Sequence, residues 1–234
     1  MDALVRDARR RRAICLWERS LPGSLVVDER GQRFVNESAS YTDFGHAQLE
    51  RGAIPAWLVL DGRHRRRYPF TSMLPGITPK AAIDNGFFVR AATIGELAAR
   101  TGIDADGLRA TVERFNRFAA SGVDEEFGRG ASIYDNYYGD PTVKPNPNLG
   151  PIDRPPFWAA RIYPGDLGTK GGLLTDEHGR VLREDGSAID GLYASGNSTA
   201  SVMGRTYPGP GGTIGPGMVF GYLAALHMAG AAAG

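Results

Sequence analysis

Between residues 206 and 217 the chain reads TYPGPGGTIGPG and then runs directly into the apolar segment MVFGYLAALHMAG. Glycine permits tight turns and close backbone approach, and the apolar run has the composition of a helix. A glycine turn that opens a helix is the form of a ligand-binding turn, and equally of an ordinary loop. The 32 glycines of the chain are about twice the usual ~7% share. They show no collagen-like period and concentrate around 165–217. That texture asks for a fold in which turns and close approaches carry the C-terminal part.

The rest of the composition removes several function classes. A net charge of +1 gives no global attraction to nucleic acid. The single cysteine, Cys15, excludes an internal disulfide and any multi-cysteine metal site. His46, His64, His178 and His227 lack ligand spacing, so no metal is expected. No apolar run reaches the ~18 residues of a membrane span, and the arginine-rich start does not read as a signal peptide. The expected compartment is the cytoplasm. Residues 9–12 form a basic run, read as a solvated helix face.

Along the chain, 24–36 alternates around a Glu-Arg-Gly turn and predicts a β-hairpin. The run AWLVL before Asp61 and Gly62 predicts a strand. Thr93 with Glu96 has capping-box spacing and predicts a helix that stops near Gly102. Asp104 caps a second predicted helix, with Leu108, Val112 and Phe115 on one face. From 122 to 156 no periodic element is visible, and a loop of that length is functional or packed by its own side chains. Residues 171–182 predict a hairpin turning at His178 and Gly179, 191–197 a short buried strand, and 216–229 a final helix. The texture changes near 168, so a first part of 1–168 is expected, followed by 169–234. The second part is lean for an independent core.

One constellation could carry chemistry. Ser195, Gly196 and Asn197 end a predicted strand, and the chain then reaches the glycine turn at 211–215 where a helix begins. Free N–H groups at a helix N-terminus attract a phosphate or a reduced flavin ring.

Five stretches, ERSLPGSLVVDERGQRFVNESASYTDF, YYGDPTVKPNPNLGPI, PGDLGTKGGLLTDEHGRVL, GLYASGN and YPGPGGTIGPGMVFGY, resemble the flavin-dependent 3-ketosteroid Δ1-dehydrogenases of the fumarate reductase flavoprotein superfamily. The resemblance runs over residues 13–230 in continuous order. It implies an α+β fold: a substrate-capping catalytic domain (1–168), then the C-terminal strands and helix of an incomplete Rossmann-like FAD domain (169–234). It implies FAD as cofactor and a steroid-like 3-keto substrate. Tyr41 is similar to the tyrosine that takes the C2 proton. Tyr207 and the Gly211 backbone N–H resemble the pair that grips the C3 carbonyl. Ser24, Gly196, Asn197, Gly212, Thr213 and Ile214 are implied contacts of the flavin. The residue types suit the chemistry, since a C2 proton becomes acidic only when donors stabilise charge on the ketone oxygen.

Two relatives within the superfamily compete. Fumarate reductases carry a histidine before the Thr-x-Gly-Gly turn, where this chain has Gly168 before Thr169. The Δ4-dehydrogenases have a turn unlike YPGPG. The resemblance also implies a Gly-x-Gly-x-x-Gly strand–helix unit and a further tyrosine, neither of which occurs here. The expectation is therefore a partner chain that supplies the FAD pyrophosphate-binding half, or a homo-oligomer. The alternative is a non-catalytic, steroid-binding fragment.

Overall fold

The computed structural model describes residues 2–6, 12–166 and 168–230. They divide into two compact units, 1–165 and 166–234. Helices and sheets are mixed in both, and the fold class is α+β.

The first unit is built on one antiparallel sheet. Its strands are β1 (Asp2–Arg6), β2 (Arg12–Ile14), β3 (Ser24–Val27), β4 (Ala56–Leu60), β5 (Val89–Ala91) and β6 (Phe157–Gly165). The order is β2-β1-β6-β4-β3, with β5 on the other end of the β6 edge that β1 uses. Side chains alternate across a strand, so AWLVL sends Trp57 and Val59 to one face and Leu58 and Leu60 to the other. Both faces are covered, which is why the run is apolar without alternation.

On the first face lie α4 (Ile94–Thr101) and α5 (Ala105–Ser121), which bury Leu97, Leu108, Val112 and Phe115. Thr93 and Asp104 cap these helices by accepting from Glu96 N–H and Gly107 N–H, and Gly102 and Gly122 end them in the left-handed conformation. On the other face α1 (Tyr41–Arg51) places Phe44 among Val26, Leu58 and Phe70. Short helices α2 (Gly62–Arg67) and α3 (Lys80–Asp84) complete that side, and α6 (Ile133–Tyr137) lies within the long connection to β6.

Three expectations for this unit need correction. The 24–36 hairpin has only its first arm: β3 pairs with β4, and 33–36 is not a strand because Arg33 turns inward to Glu37 and Asp124. The 122–156 segment contains α6 and is packed through polar groups. Arg129 donates to the Ser24 and Leu21 carbonyls at 2.7 and 3.0 Å, and Asn148 to the Ser20 and Asp135 carbonyls at 3.0 and 2.8 Å. The basic run 9–12 is not a helix face where it is described, since Arg12 opens β2; residues 9–11 lie outside the described residues.

The second unit pairs β7 (Arg180–Leu182) with β8 (Ala188–Tyr193) and ends in α7 (Ile214–Met228). The turn at His178 and Gly179 is present, with Asp176 N–H donating to Arg180 C=O at 3.0 Å and Gly179 at φ +74. The strand expected to be buried at 191–197 is β8, and it is half exposed because a two-stranded sheet covers neither of its faces fully. Among the described residues no helix is long and apolar enough to cross a membrane.

Candidate functional site

The second unit contains a seam between two extended segments. Leu173 N–H donates to Ser198 C=O at 3.0 Å, Ala200 N–H to Leu173 C=O at 2.9 Å, and Ser201 N–H to Lys170 C=O at 2.9 Å. The approach is too close for a side chain at 172: a Cβ there would stand 2.5 Å from Ser198 O. The second glycine of Thr-Lys-Gly-Gly is thus a packing requirement.

The seam borders a shallow cleft that opens to solvent. Gly196, Asn197, Tyr207, Gly212 and Thr213 all line it, together with Thr169 and Lys170. Five residues named from the sequence as cofactor or substrate contacts therefore meet on one surface. Gly211 and Ile214 do not line it; Gly211 is exposed and Ile214 is 67% exposed. Gly211 sits at φ +94, a backbone state that favours glycine, and its N–H donates to no group among the described residues.

The backbone around this cleft is largely satisfied from within: Gly212 N–H donates to Gly209 C=O at 3.0 Å, Gly215 N–H to Gly211 C=O at 2.8 Å and Gly217 N–H to Thr213 C=O at 3.2 Å. Thr213 gives α7 no side-chain cap, and Pro216 brings no N–H to its first turn. The helix start meets the Ser195–Asn197 turn backbone to backbone, since a Cβ on Gly217 would lie 3.3 Å from Gly196 Cα. Lys170 Nζ is shut off from solvent without a hydrogen-bond partner among the described residues. It stands 5.6 Å from the Tyr207 ring centroid. A side-chain-free cradle and an ammonium without a hydrogen-bond partner among the described residues suit a flat ligand rich in acceptors that carries negative charge when reduced, as FAD does.

The remaining named residues belong to the first unit. Tyr41 is the first residue of α1, where Ser40 Oγ accepts from Asp43 N–H at 3.1 Å. The chain before it is pinned by Arg19, whose guanidinium donates to the Glu37 and Ala39 carbonyls. Burial would push the Glu37 carboxyl up, but Arg33 and Arg129 hold it below its ordinary value, so a buried charge network anchors the approach to Tyr41. Ser24 is fully buried at the start of β3; its hydroxyl donates to Leu21 C=O at 2.7 Å and accepts from Arg129 Nη2 at 3.2 Å. Sequence reasoning overlooked Lys170. The signal was its place inside Thr-Lys-Gly-Gly, beside a glycine that the seam requires. Among the described residues no group of three or more His, Cys, Asp or Glu could hold a metal ion.

A family model described as FAD binding domain matches residues 3–214. The chain is 57% identical over 224 residues to the 3-oxosteroid 1-dehydrogenase of Mycobacterium tuberculosis, covering 92% of this chain and 40% of the relative. It is 43% identical over 239 residues to the 4-oxocyclohexanecarboxylate 2-dehydrogenase of Sinomonas cyclohexanicum, covering 98% and 41%. Among solved structures, the 3-ketosteroid Δ1-dehydrogenase of Sterolibacterium denitrificans in complex with 1,4-androstadiene-3,17-dione matches with a TM-score of 0.92 at 45% identity, over 98% of this chain and 42% of that one. The chain spans about two fifths of the length of the curated relatives it matches.

Proposed function

The chain belongs to the FAD binding domain family and is similar over nine tenths of its length to 3-oxosteroid 1-dehydrogenases, and from that premise we propose that it forms part of a flavin-dependent 3-oxosteroid 1-dehydrogenase. FAD is the cofactor of this family and, when bound, supplies the acceptor for the hydride that leaves C1. The single observation that carries the reading is the meeting of Tyr207 with Gly196, Asn197, Gly212 and Thr213 on one cleft.

In this reading Tyr207 donates its phenolic hydrogen to the 3-oxo oxygen. The Gly211 N–H, which donates to no group among the described residues, donates beside it. Two donors aimed at an oxygen that gains charge during the reaction act as an oxyanion hole. Tyr41, at the capped start of α1, takes the proton from C2. Gly196, Asn197, Gly212, Thr213 and Ile214 contribute the flavin-facing surface, Gly212 through its lack of a side chain since its N–H donates to Gly209 C=O. Ser24 serves by fixing the chain next to Arg129 rather than by touching a ligand. The two relatives named for a 3-oxosteroid and a 4-oxocyclohexane carboxylate both act on a ring ketone by name. The grip on a ring-ketone oxygen is therefore the part of the reading that applies whichever ring is the substrate.

The reading also needs a polypeptide that carries the FAD pyrophosphate. Such a module, with a Gly-x-Gly-x-x-Gly turn, is the proposed partner of the exposed apolar side of α7. A homo-oligomer through the same face is the second arrangement.

The test is Tyr207→Phe in the flavin-loaded assembly, with a 3-oxosteroid as substrate. Loss of one oxyanion donor should lower turnover roughly 10²- to 10³-fold. Unchanged turnover removes Tyr207 from the mechanism, and a wild-type assembly that binds flavin but desaturates no 3-oxo ring sinks the reading.

A further inference from the structure

Positive charge in this chain is carried almost entirely by arginine: of its 27 Lys and Arg residues, only Lys80, Lys144 and Lys170 are lysines. Lys80 is exposed and pairs with Asp84 on the surface, and Lys144 is also exposed. Lys170 differs from both. Its Nζ is removed from solvent, lacks a hydrogen-bond partner among the described residues, and lies 5.6 Å from the Tyr207 ring centroid. That distance is inside the ~6 Å reach of a cation–π contact.

The position is held from the backbone. Lys170 C=O accepts from Ser201 N–H at 2.9 Å, and Gly172 clamps the next turn of chain against Ser198. The stem of Lys170 therefore starts from a fixed point on the rim of the cleft. Leaving an ammonium without an acceptor costs free energy, and an aliphatic side chain would fill the same space without that cost. The face of the Tyr207 ring offsets part of that cost, and a group that acquires negative charge in the cleft would offset more of it.

We propose that Lys170 is a positioning residue for Tyr207 and the source of positive charge behind the ketone grip. Its ammonium holds the Tyr207 ring by its face and stabilises the negative charge that develops on a ring-ketone oxygen bonded to that tyrosine. The proposal rests on the ketone-grip reading above, and it adds a third member that the grip of Tyr207 and Gly211 does not itself require. Because the charge matters most when the oxygen becomes anionic, it acts on kcat more than on KM. A lysine suits the task, being a compact charge on a flexible stem that can follow the ring.

Two measurements test it. In the chain as it stands, biosynthetic labelling with ¹³C-lysine keeps the charge and labels only three residues. The Lys170 Hε signals should be shifted upfield by the Tyr207 ring current, and Tyr207→Leu should abolish that shift. Three unshifted lysines, or a shift indifferent to Tyr207→Leu, overturns the contact. In the flavin-loaded assembly, Lys170→Met should lower kcat roughly tenfold with KM changed by less than about threefold, and Lys170→Arg should restore most of the loss. The carbonyl stretch of bound 1,4-androstadiene-3,17-dione should be less downshifted in Lys170→Met than in the unsubstituted protein. Equal kcat and equal stretch overturns the electrostatic role. If the ring-current shift is present but no 3-oxosteroid is bound or turned over, the steroid reading fails while the Lys170–Tyr207 pairing stands without a catalytic use.

Discussion

His64 sits with Nε2 3.1 Å from the Glu18 carbonyl oxygen and with its buried Nδ1 lacking a partner among the described residues. Burial lowers its pKa from 6.5 to about 3. The folded chain thus keeps His64 neutral where the unfolded chain binds a proton, so stability is intact above pH 6.5 and falls as pH drops toward about 3. The slope from one such group approaches ~1.4 kcal/mol per pH unit. Glu18 beside it works in the opposite sense: burial pushes its carboxyl above 4.5, so its stabilising share is complete below 4.5 and fades as pH rises. Glu37 and Asp124, held low by Arg33 against their burial, lose their share only below their ordinary values. Between pH 5 and 6.5 the His64 term is therefore the acid-sensitive one. Urea midpoints measured across that window should fall with pH, and His64→Gln should flatten the dependence. An identical slope in the variant would show that His64 does not carry it.

The first turn of α5 sets helix propensity against packing. Gly107 is in a helix, where alanine is favoured by ~1 kcal/mol. Yet a Cβ at 107 would lie 2.0 Å from Arg30 O and 2.9 Å from Asp104 Oδ1, the atom that caps the helix. Gly31 on the facing turn is equally constrained, at φ +70 with its own virtual Cβ 2.2 Å from Leu108 N. Backbone against backbone cannot yield as a side-chain tip can, so the clash outweighs the propensity. Gly107→Ala should destabilise by about 1–3 kcal/mol, read as a lowered midpoint in denaturant; a raised midpoint would mean that the turn at 28–31 moves freely. At this scale much was legible in the sequence. Asp104 with Leu108, Val112 and Phe115 announced α5, and the unbroken run AWLVL announced a strand. That 33–36 forms no second hairpin arm was not legible, because Arg33 serves a buried charge network whose acidic members, Glu37 and Asp124, lie four and 91 residues away. For the site, the glycines and Tyr207 stood out locally. Lys170 did not, because its proximity to Tyr207 depends on the seam that joins 170–173 to 198–201, a contact that no local pattern encodes.

At the scale of the whole molecule, the two units differ in how they use apolar residues. The first buries both faces of its sheet. In the second, α7 runs 15 residues with Ala224 alone buried. Ile214, Met218 and Tyr222 recur at i, i+4 and i+8, and are 67, 68 and 64% exposed. A stripe of that kind on a helix without opposing charges is a surface that associates. The neighbouring β8 has no strand on its outer edge among the described residues, which also favours association, whereas β7 is paired on its outer side by 174–176. The proposed pyrophosphate-binding module would cover this stripe, and in its absence a second copy is the nearest apolar surface. The chain alone should therefore self-associate in a concentration-dependent way, visible by sedimentation velocity. Met218→Lys combined with Tyr222→Lys removes two side chains whose burial is worth about 1.5–3 kcal/mol each, and should weaken association by at least roughly a hundredfold. The same double variant should fail to co-purify with a Gly-x-Gly-x-x-Gly module that the unsubstituted chain retains. A chain that stays monomeric at every concentration, and that retains such a module equally well with both lysines in place, would show that α7 meets solvent by design and that the cofactor half docks elsewhere.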